Sequence, residues 1–335
     1  MWPFIKPIKL IRYLLVWQVN SSLVQLPRWL PTELSLVLGT LIANRLPTRQ
    51  ARPWRKALAP WEEFGGVSLV GKKKPSRLPE ASWPIETVLF AYPGKRTCGR
   101  GELILWEFKL MGASADHGLF LEIVLPAIEE AGSTMDPQWR RQKSVWGRFD
   151  IRAVYVARGP RWEPLVRDGR LDLGYRATPG QWAKGLTFDL RSDRTFDCLT
   201  WLTPFDLSGD ESDIRGQRNR RKIAPHQVPT LQSVLESLIA RMSLLLPGKH
   251  NTPDDVWAVL SAEEQSSLRG VMEQASRIPI HHTSLKSAPR SWAGRWIGTQ
   301  TFASIPHPIL PYLELASLLH IGRQTHLGCG TFAVT

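Results

Sequence analysis

The sequence predicts an α+β protein in which one βαββαβ unit is written twice in tandem. Three observations carry this reading. At 335 residues the chain is long enough for two sizeable cores. Its strand-like stretches alternate, as where Ile104, Trp106 and Phe108 stand against Leu105, Glu107 and Lys109. The order strand, helix, strand, strand, helix, strand runs through residues 1–160 and returns in residues 185–335, with 161–184 as a link.

In the first unit, Arg12 to Val19 is apolar enough for a buried strand. A helix follows, with Thr32 as N-cap and Leu34, Val37, Leu38 and Leu41 on one face. The basic, proline-rich stretch from Pro47 to Arg77 reads as an irregular loop. Strands at Glu86 to Tyr92 and Leu103 to Leu110 precede a helix in which Pro126 forces a kink or a break. The unit closes on RFDIRAVYVA, where strict alternation places Phe149, Ile151, Ala153 and Tyr155 on one face.

The second unit repeats the order with insertions. LTFDL (186–190) and Thr195 to Leu207 are strand-like, and GQRNRRK (216–222) is a charged loop. Leu231, Val234, Leu235, Leu238, Met242 and Leu245 share a helix face that Pro247 and Gly248 end. A helical insertion is signalled by TPDD at Thr252 and the capping box SAEE at Ser261. Strands at Arg277 to His282 and Arg295 to Phe302, the helix ILPYLELASLL and the strand GTFAV complete the unit. This is the ferredoxin-like order that RNA-recognition motifs also use.

The charge balance narrows function. Lys and Arg total 43 against 30 Asp and Glu, a formal net charge of +13, so a polyanion is the expected partner. Of the 15 Trp, Trp29, Trp54, Trp139, Trp146, Trp162, Trp292 and Trp296 lie within two positions of an Arg; such rings serve either as core or as platforms for unpaired bases. Cys98, Cys198 and Cys329 are too far apart for a zinc or disulfide framework and fit a reducing compartment; no cofactor or metal is expected. The N-terminal apolar core is only Tyr13 to Trp17, without a cleavage site, which predicts a cytoplasmic protein with no membrane partner.

The last link, between ILPYLELASLL and GTFAV, is the most distinctive stretch. HIGRQTHLGCG carries Gly322, Arg323, Thr325, His326, Gly328 and Gly330. Glycines admit positive φ and let backbone amides approach a phosphate, whereas a tight turn capping the helix would also use Gly322. The segment LPYLELASLLHIGRQTHLGCGTF resembles the glycine-rich loop of the CRISPR repeat-RNA-processing endoribonucleases of the repeat-associated mysterious protein superfamily. WAGRWIGTQTF, GELILWEFKLMGAS, WGRFDI, LTPFDL and LIARMSLL echo further parts of that pattern in the same order, over about residues 80 to 335. The resemblance implies two ferredoxin-like domains, CRISPR repeat RNA or crRNA as partner, and either metal-independent cleavage to mature crRNA or a non-catalytic, RNA-holding role among other CRISPR effector subunits.

Metal-independent RNA cleavage needs a general base for the 2′-hydroxyl, a general acid for the leaving 5′ oxygen, and cations for the transition state. Many members of the family place a catalytic His in or near the first helix, often with a Tyr and a Lys. Here no His precedes His117, and Tyr13 and Lys56 have no fixed partners. The best local supply is His281 and His282 with Arg290 and Lys286 nearby; on a regular strand the two rings face opposite ways, and both are equally readable as surface residues. His326 is the second choice, and His117, His226, His250, His307 and His320 read as structural. Lys72, Lys73, Lys74, Arg218, Arg220 and Arg221 are expected on RNA phosphates, although isolated basic runs also occur as solvated loops.

Overall fold

The computed structural model describes residues 2–63, 82–134, 143–186, 195–207, 228–248, 251–289 and 292–335. Two compact units divide the chain: Lys9–Leu186, and Thr187–Thr335 together with Met1–Ile8. Both are mixed α and β with antiparallel sheets. No helix among the described residues is long and apolar enough to cross a membrane.

The N-terminal unit is built on β1 (Leu10–Val19), α1 (Leu30–Arg45), α2 (Thr48–Glu63), β2 (Thr87–Ala91), β3 (Leu103–Met111), α3 (Leu125–Ser133), β4 (Phe149–Arg158) and β5 (Arg161–Arg167). Its sheet runs β2-β3-β1-β4-β5 and ends on the two-residue strand Arg170–Leu171. Central β1 pairs antiparallel with β3 and β4, and its almost continuously apolar sequence is buried along most of its length. On the helix side Tyr13 stacks on Phe120 at 3.7 Å and Trp17 on Phe149 at 3.8 Å between ring centroids.

Four local expectations change. The helix starts at Leu30, with Trp29 as N-cap and Pro31 in its first turn, so Thr32 lies inside it. Residues 48–63, expected as loop, form α2: Ala51, Trp54 and Leu58 recur at helical spacing and are buried, with Trp54 5.0 Å from Trp83. The face expected for Phe149, Ile151, Ala153 and Tyr155 is split by a β-bulge. Phe149 and Ile151 pair with Val19 and Trp17, but beyond the bulge Val154 and Val156 take the helix side opposite Leu15 and Tyr13. Residues 161–184, expected as a link, supply β5 and a turn whose Gln181 donates to the Ala157 carbonyl at 3.0 Å.

The C-terminal unit comprises β6 (Phe196–Trp201), α4 (Leu231–Leu245), α5 (Pro253–Val259), α6 (Ala262–Ser276), β7 (Ile280–Thr283), β8 (Thr299–Ile305), α7 (Leu310–Leu319) and β9 (Phe332–Val334). Its antiparallel sheet is ordered β7-β8-β6-β9, so the first strand again lies between the third and fourth. Capping boxes at Thr252 and Ser261 start α5 and α6. Trp201 centres the core, stacked on Phe205 at 3.8 Å and donating to Gln300 Oε1 at 2.9 Å. Trp2 and Phe4 pack on Tyr312 with centroids at 4.8 and 4.9 Å, so the chain's first residues belong to this unit. The strand expected at 186–190 lies almost wholly outside the described residues.

Candidate nucleic-acid interface

Three segments of the C-terminal unit, distant in sequence, interlock at the end of β6. The strand continues as an extended ribbon, Leu202 to Leu207, flanked by residues 292–298 and by the glycine-rich link 320–331. On one side Phe205 N donates to Trp296 O at 2.8 Å, and Arg295 N and Trp296 N both donate to Phe205 O, at 3.1 and 3.0 Å. On the other, Gly330 N donates to Pro204 O at 2.9 Å, Arg323 N to Asp206 O at 2.8 Å, and Leu202 N to Thr331 O at 3.0 Å. Gln324 ties the flanks together, its Oε1 accepting from Gly294 N at 2.6 Å.

The glycines serve this close approach. At Gly330, φ is +82° and a Cβ would stand 1.9 Å from the Ile321 carbonyl oxygen; at Gly322, φ is +86° and a Cβ would stand 2.4 Å from that of Asp206. No side chain fits either place. The amides of Gly328 and Gly330 are committed to Thr325 O and Pro204 O, because the backbone turns back on itself here. A phosphate at this loop would therefore meet side chains and the half-exposed arc of residues 322–325; residues 326–330 are buried.

The helix entering the loop is held from behind. Arg241, buried in α4, donates from Nε to the Leu319 carbonyl at 3.2 Å, satisfying an orphan acceptor at the negative end of α7. His320 follows at φ 59°, buried, its Nδ1 3.0 Å from the Cys329 carbonyl oxygen. Burial pushes the Cys329 thiol up, and Asp206 adds to it, so the sulfur stays protonated.

The predicted residues fall in three groups. Gly322, Arg323, Thr325, Gly328 and Gly330 come together in the loop, and His326 with them, but at 6% exposure His326 is a packing residue, not an outward donor. His281 and His282 are exposed on β7, at the edge of the sheet. There the pairing shifts from Ile280–Phe302 to His282–Thr301, leaving His281 as the extra residue of a bulge; strict alternation is broken, and the two rings are not forced to opposite faces. Arg290, Lys72, Lys73, Lys74, Arg218, Arg220 and Arg221 lie outside the described residues. Sequence reasoning missed Arg241 and Arg295, although LIARMSLL and WAGRWIG had marked their segments.

Polar groups of the N-terminal unit are buried otherwise. Arg12 Nε lies 2.5 Å from Glu107 Oε1, Lys109 Nζ lies 4.0 Å from the same oxygen, and Tyr92 donates to Glu107 Oε2 at 3.2 Å. Burial works to raise the Glu107 carboxyl, but Arg12 and Lys109 hold it below the usual carboxylate range. Tyr13 OH is 2.9 Å from His117 Nδ1, both residues buried. Tyr13 therefore belongs to the core.

The sequence model of the CRISPR-associated endoribonuclease Cas6 family matches residues 199–332, which contain all three interlocked segments. By structure, the chain aligns with one of a partial Cas6-RT-Cas1–Cas2 complex at 14% identity and a TM-score of 0.51, over 98% of this chain and 46% of that one. A chain of a Cas6-RT-Cas1–Cas2 complex aligns with the same identity and TM-score, over 98% and 29%. This chain thus spans less than half the length of either, and at such identity the likeness speaks to the fold alone. A Cas6 product complex aligns at 15% identity and a TM-score of 0.45, over 97% of this chain and 100% of that one. No curated protein matches the sequence.

Proposed function

We propose that this chain is a Cas6-type endoribonuclease that binds CRISPR repeat RNA and cuts it without a metal ion to give mature crRNA. The observation that carries the reading is the Cas6 match over residues 199–332, because the interlocked ribbon and glycine link lie inside it. The strand orders support a pair of ferredoxin-like units: in each, the first strand lies between the third and fourth and the second lies outside the third. The net charge of +13 suits a phosphate backbone.

In this reading, RNA lies along the half-exposed arc Gly322 to Thr325. His281 and His282 share the general base and acid roles in attack of the 2′-hydroxyl on the adjacent phosphorus, with Arg290 offsetting the charge of the pentacoordinate phosphate. Exposure of both histidines favours their access to RNA. The basic residues Lys72, Lys73, Lys74, Arg218, Arg220 and Arg221 add phosphate contacts, and other CRISPR effector subunits are protein partners.

Incubation with the cognate repeat RNA in EDTA tests this. One cut is expected, leaving a 2′,3′-cyclic phosphate or 3′-phosphate upstream and a 5′-hydroxyl downstream. His281→Ala or His282→Ala should lower the rate by about 10² to 10⁴ with affinity little changed. Strict Mg²⁺ dependence with 3′-hydroxyl products would overturn the metal-independent route. Tight binding with no cleavage would assign the chain to holding guide RNA, and full activity in the double variant would move the chemistry away from β7.

A further inference from the structure

Arg295 occupies the mirror position to Arg323 across the ribbon. Its amide donates to the carbonyl of Phe205, while that of Arg323 donates to the carbonyl of the next residue, Asp206. Carbonyls of successive residues in an extended chain point to opposite sides, so the two arginines enter the ribbon from its two flanks. At a spacing of about 4.8 Å per neighbouring strand, their backbones stand roughly 10 Å apart. Both residues are half-buried.

The Arg295 side chain is also ordered in advance. Its guanidinium carbon lies 5.2 Å from the ring centroid of Trp296, itself only 6% exposed and pinned by paired backbone bonds to Phe205. Phe205 stacks in turn on Trp201 at 3.8 Å. A cation held at this distance over an indole is attracted by the ring's negative face, which fixes the charge near the ribbon. Immobilising the stem beforehand lowers the entropy lost when RNA binds.

We propose that Arg295 is an RNA-phosphate contact, and that with Arg323 it grips two separate phosphates of one strand on either flank of the Phe205–Asp206 ribbon. The inference rests on the RNA-binding reading above and adds to it a residue and a geometry. Two grips on separate phosphates act independently, whereas two arginines on one phosphate would be coupled.

The test is binding of labelled cognate repeat RNA by the full chain across a salt series. Arg295→Ala should weaken binding on the order of tenfold at intermediate salt and flatten the log–log salt slope by about 0.7, the share of one phosphate on a single strand. Arg295→Lys should keep the slope and lose part of the affinity, because the charge remains without the guanidinium's fork of donors. The Arg295→Ala, Arg323→Ala double variant should lose the sum of the single effects. Melting curves accompany each, and Arg295→Gln replaces the alanine variant if that melts early. Tight wild-type binding that Arg295→Ala or Arg295→Gln leaves unchanged in affinity and slope overturns the inference alone. A wild-type chain that binds no RNA overturns it together with the reading it rests on.

Discussion

The same position in the repeat is built in two different ways. Between the second helix and the last strand, the C-terminal unit has residues 320–331, with three glycines; the N-terminal unit has residues 134–148, with Gly147 alone. The C-terminal link folds back onto the extension of its first strand through backbone bonds to Pro204 and Asp206. In the N-terminal unit Gly147, at φ 69°, donates to the Ala131 carbonyl of the preceding helix at 2.8 Å. Strand order alone therefore does not call for a glycine-rich link. What calls for it is the packing of backbone against backbone, which leaves no room for a side chain at Gly322 or Gly330.

The largest expected effect compares two glycines of similar φ, one from each unit. Gly330 and Gly169 stand at +82° and +74°, but a Cβ at Gly330 meets the Ile321 carbonyl oxygen at 1.9 Å, whereas one at Gly169 meets nothing within 4 Å. Gly169→Ala should cost only the left-handed strain, about 1 kcal/mol. Gly330→Ala should cost roughly 3 kcal/mol or more, because the backbone contacts themselves must open. Equal losses in denaturant melts would mean that conformation, not close approach, selects the glycines of the link.

An intermediate effect is expected at Arg241, which supports the helix that leads into the glycine-rich link. Arg241→Met keeps the apolar stem and removes the donor, leaving the Leu319 carbonyl buried without this charged partner. A loss of about 1.5 to 3 kcal/mol is expected, with increased hydrogen exchange at residues 320–331. If exchange rises everywhere but there, the side chain supports the helix pair and not the loop.

The mixed α and β character was legible because period-2 and helical patterns are local: Ile104, Trp106 and Phe108 are all buried on β3. The bulge in β4 was not, since it depends on pairing with β1, and nothing in FDIRAVYVA marks the point of slippage. Helix α2 was hidden by Pro47 and Pro53; Pro53 is the sixth residue of the helix and gives up the bond to the Arg49 carbonyl, a loss offset by burial of Ala51, Trp54 and Leu58. The loop's glycines and Arg323 could be read directly, but not the use of Gly328 and Gly330 amides inside the protein. The pairing of Arg295 with Arg323 was out of reach, because it exists only when the three segments close around Phe205 and Asp206.

The smallest effect separates the units by pH. Burial holds the His117 imidazole below its ordinary value, Arg176 acting in the same direction, while the Tyr175 backbone and Asp116 pull upward. Below the ordinary histidine value of about 6.5 an unfolded chain takes up a proton that the folded N-terminal unit resists, so stability falls as pH falls through that window. Glu107 adds its own loss only in more acidic solution, below the usual carboxylate value of about 4.5 where its held-down carboxyl begins to matter. Melting temperatures at about pH 7 and about pH 5.5 therefore bracket the histidine window and leave the carboxylates out of it. His117→Gln retains an acceptor for the Tyr13 hydroxyl, 2.9 Å from Nδ1 in the native pair, and cannot titrate. It should remove part of the drop in melting temperature between the two pH values while leaving hydrogen exchange at residues 320–331 unchanged. A drop identical to wild type would show that the Tyr13–His117 pair is as indifferent to acid as the glycine-bound backbone of the other unit.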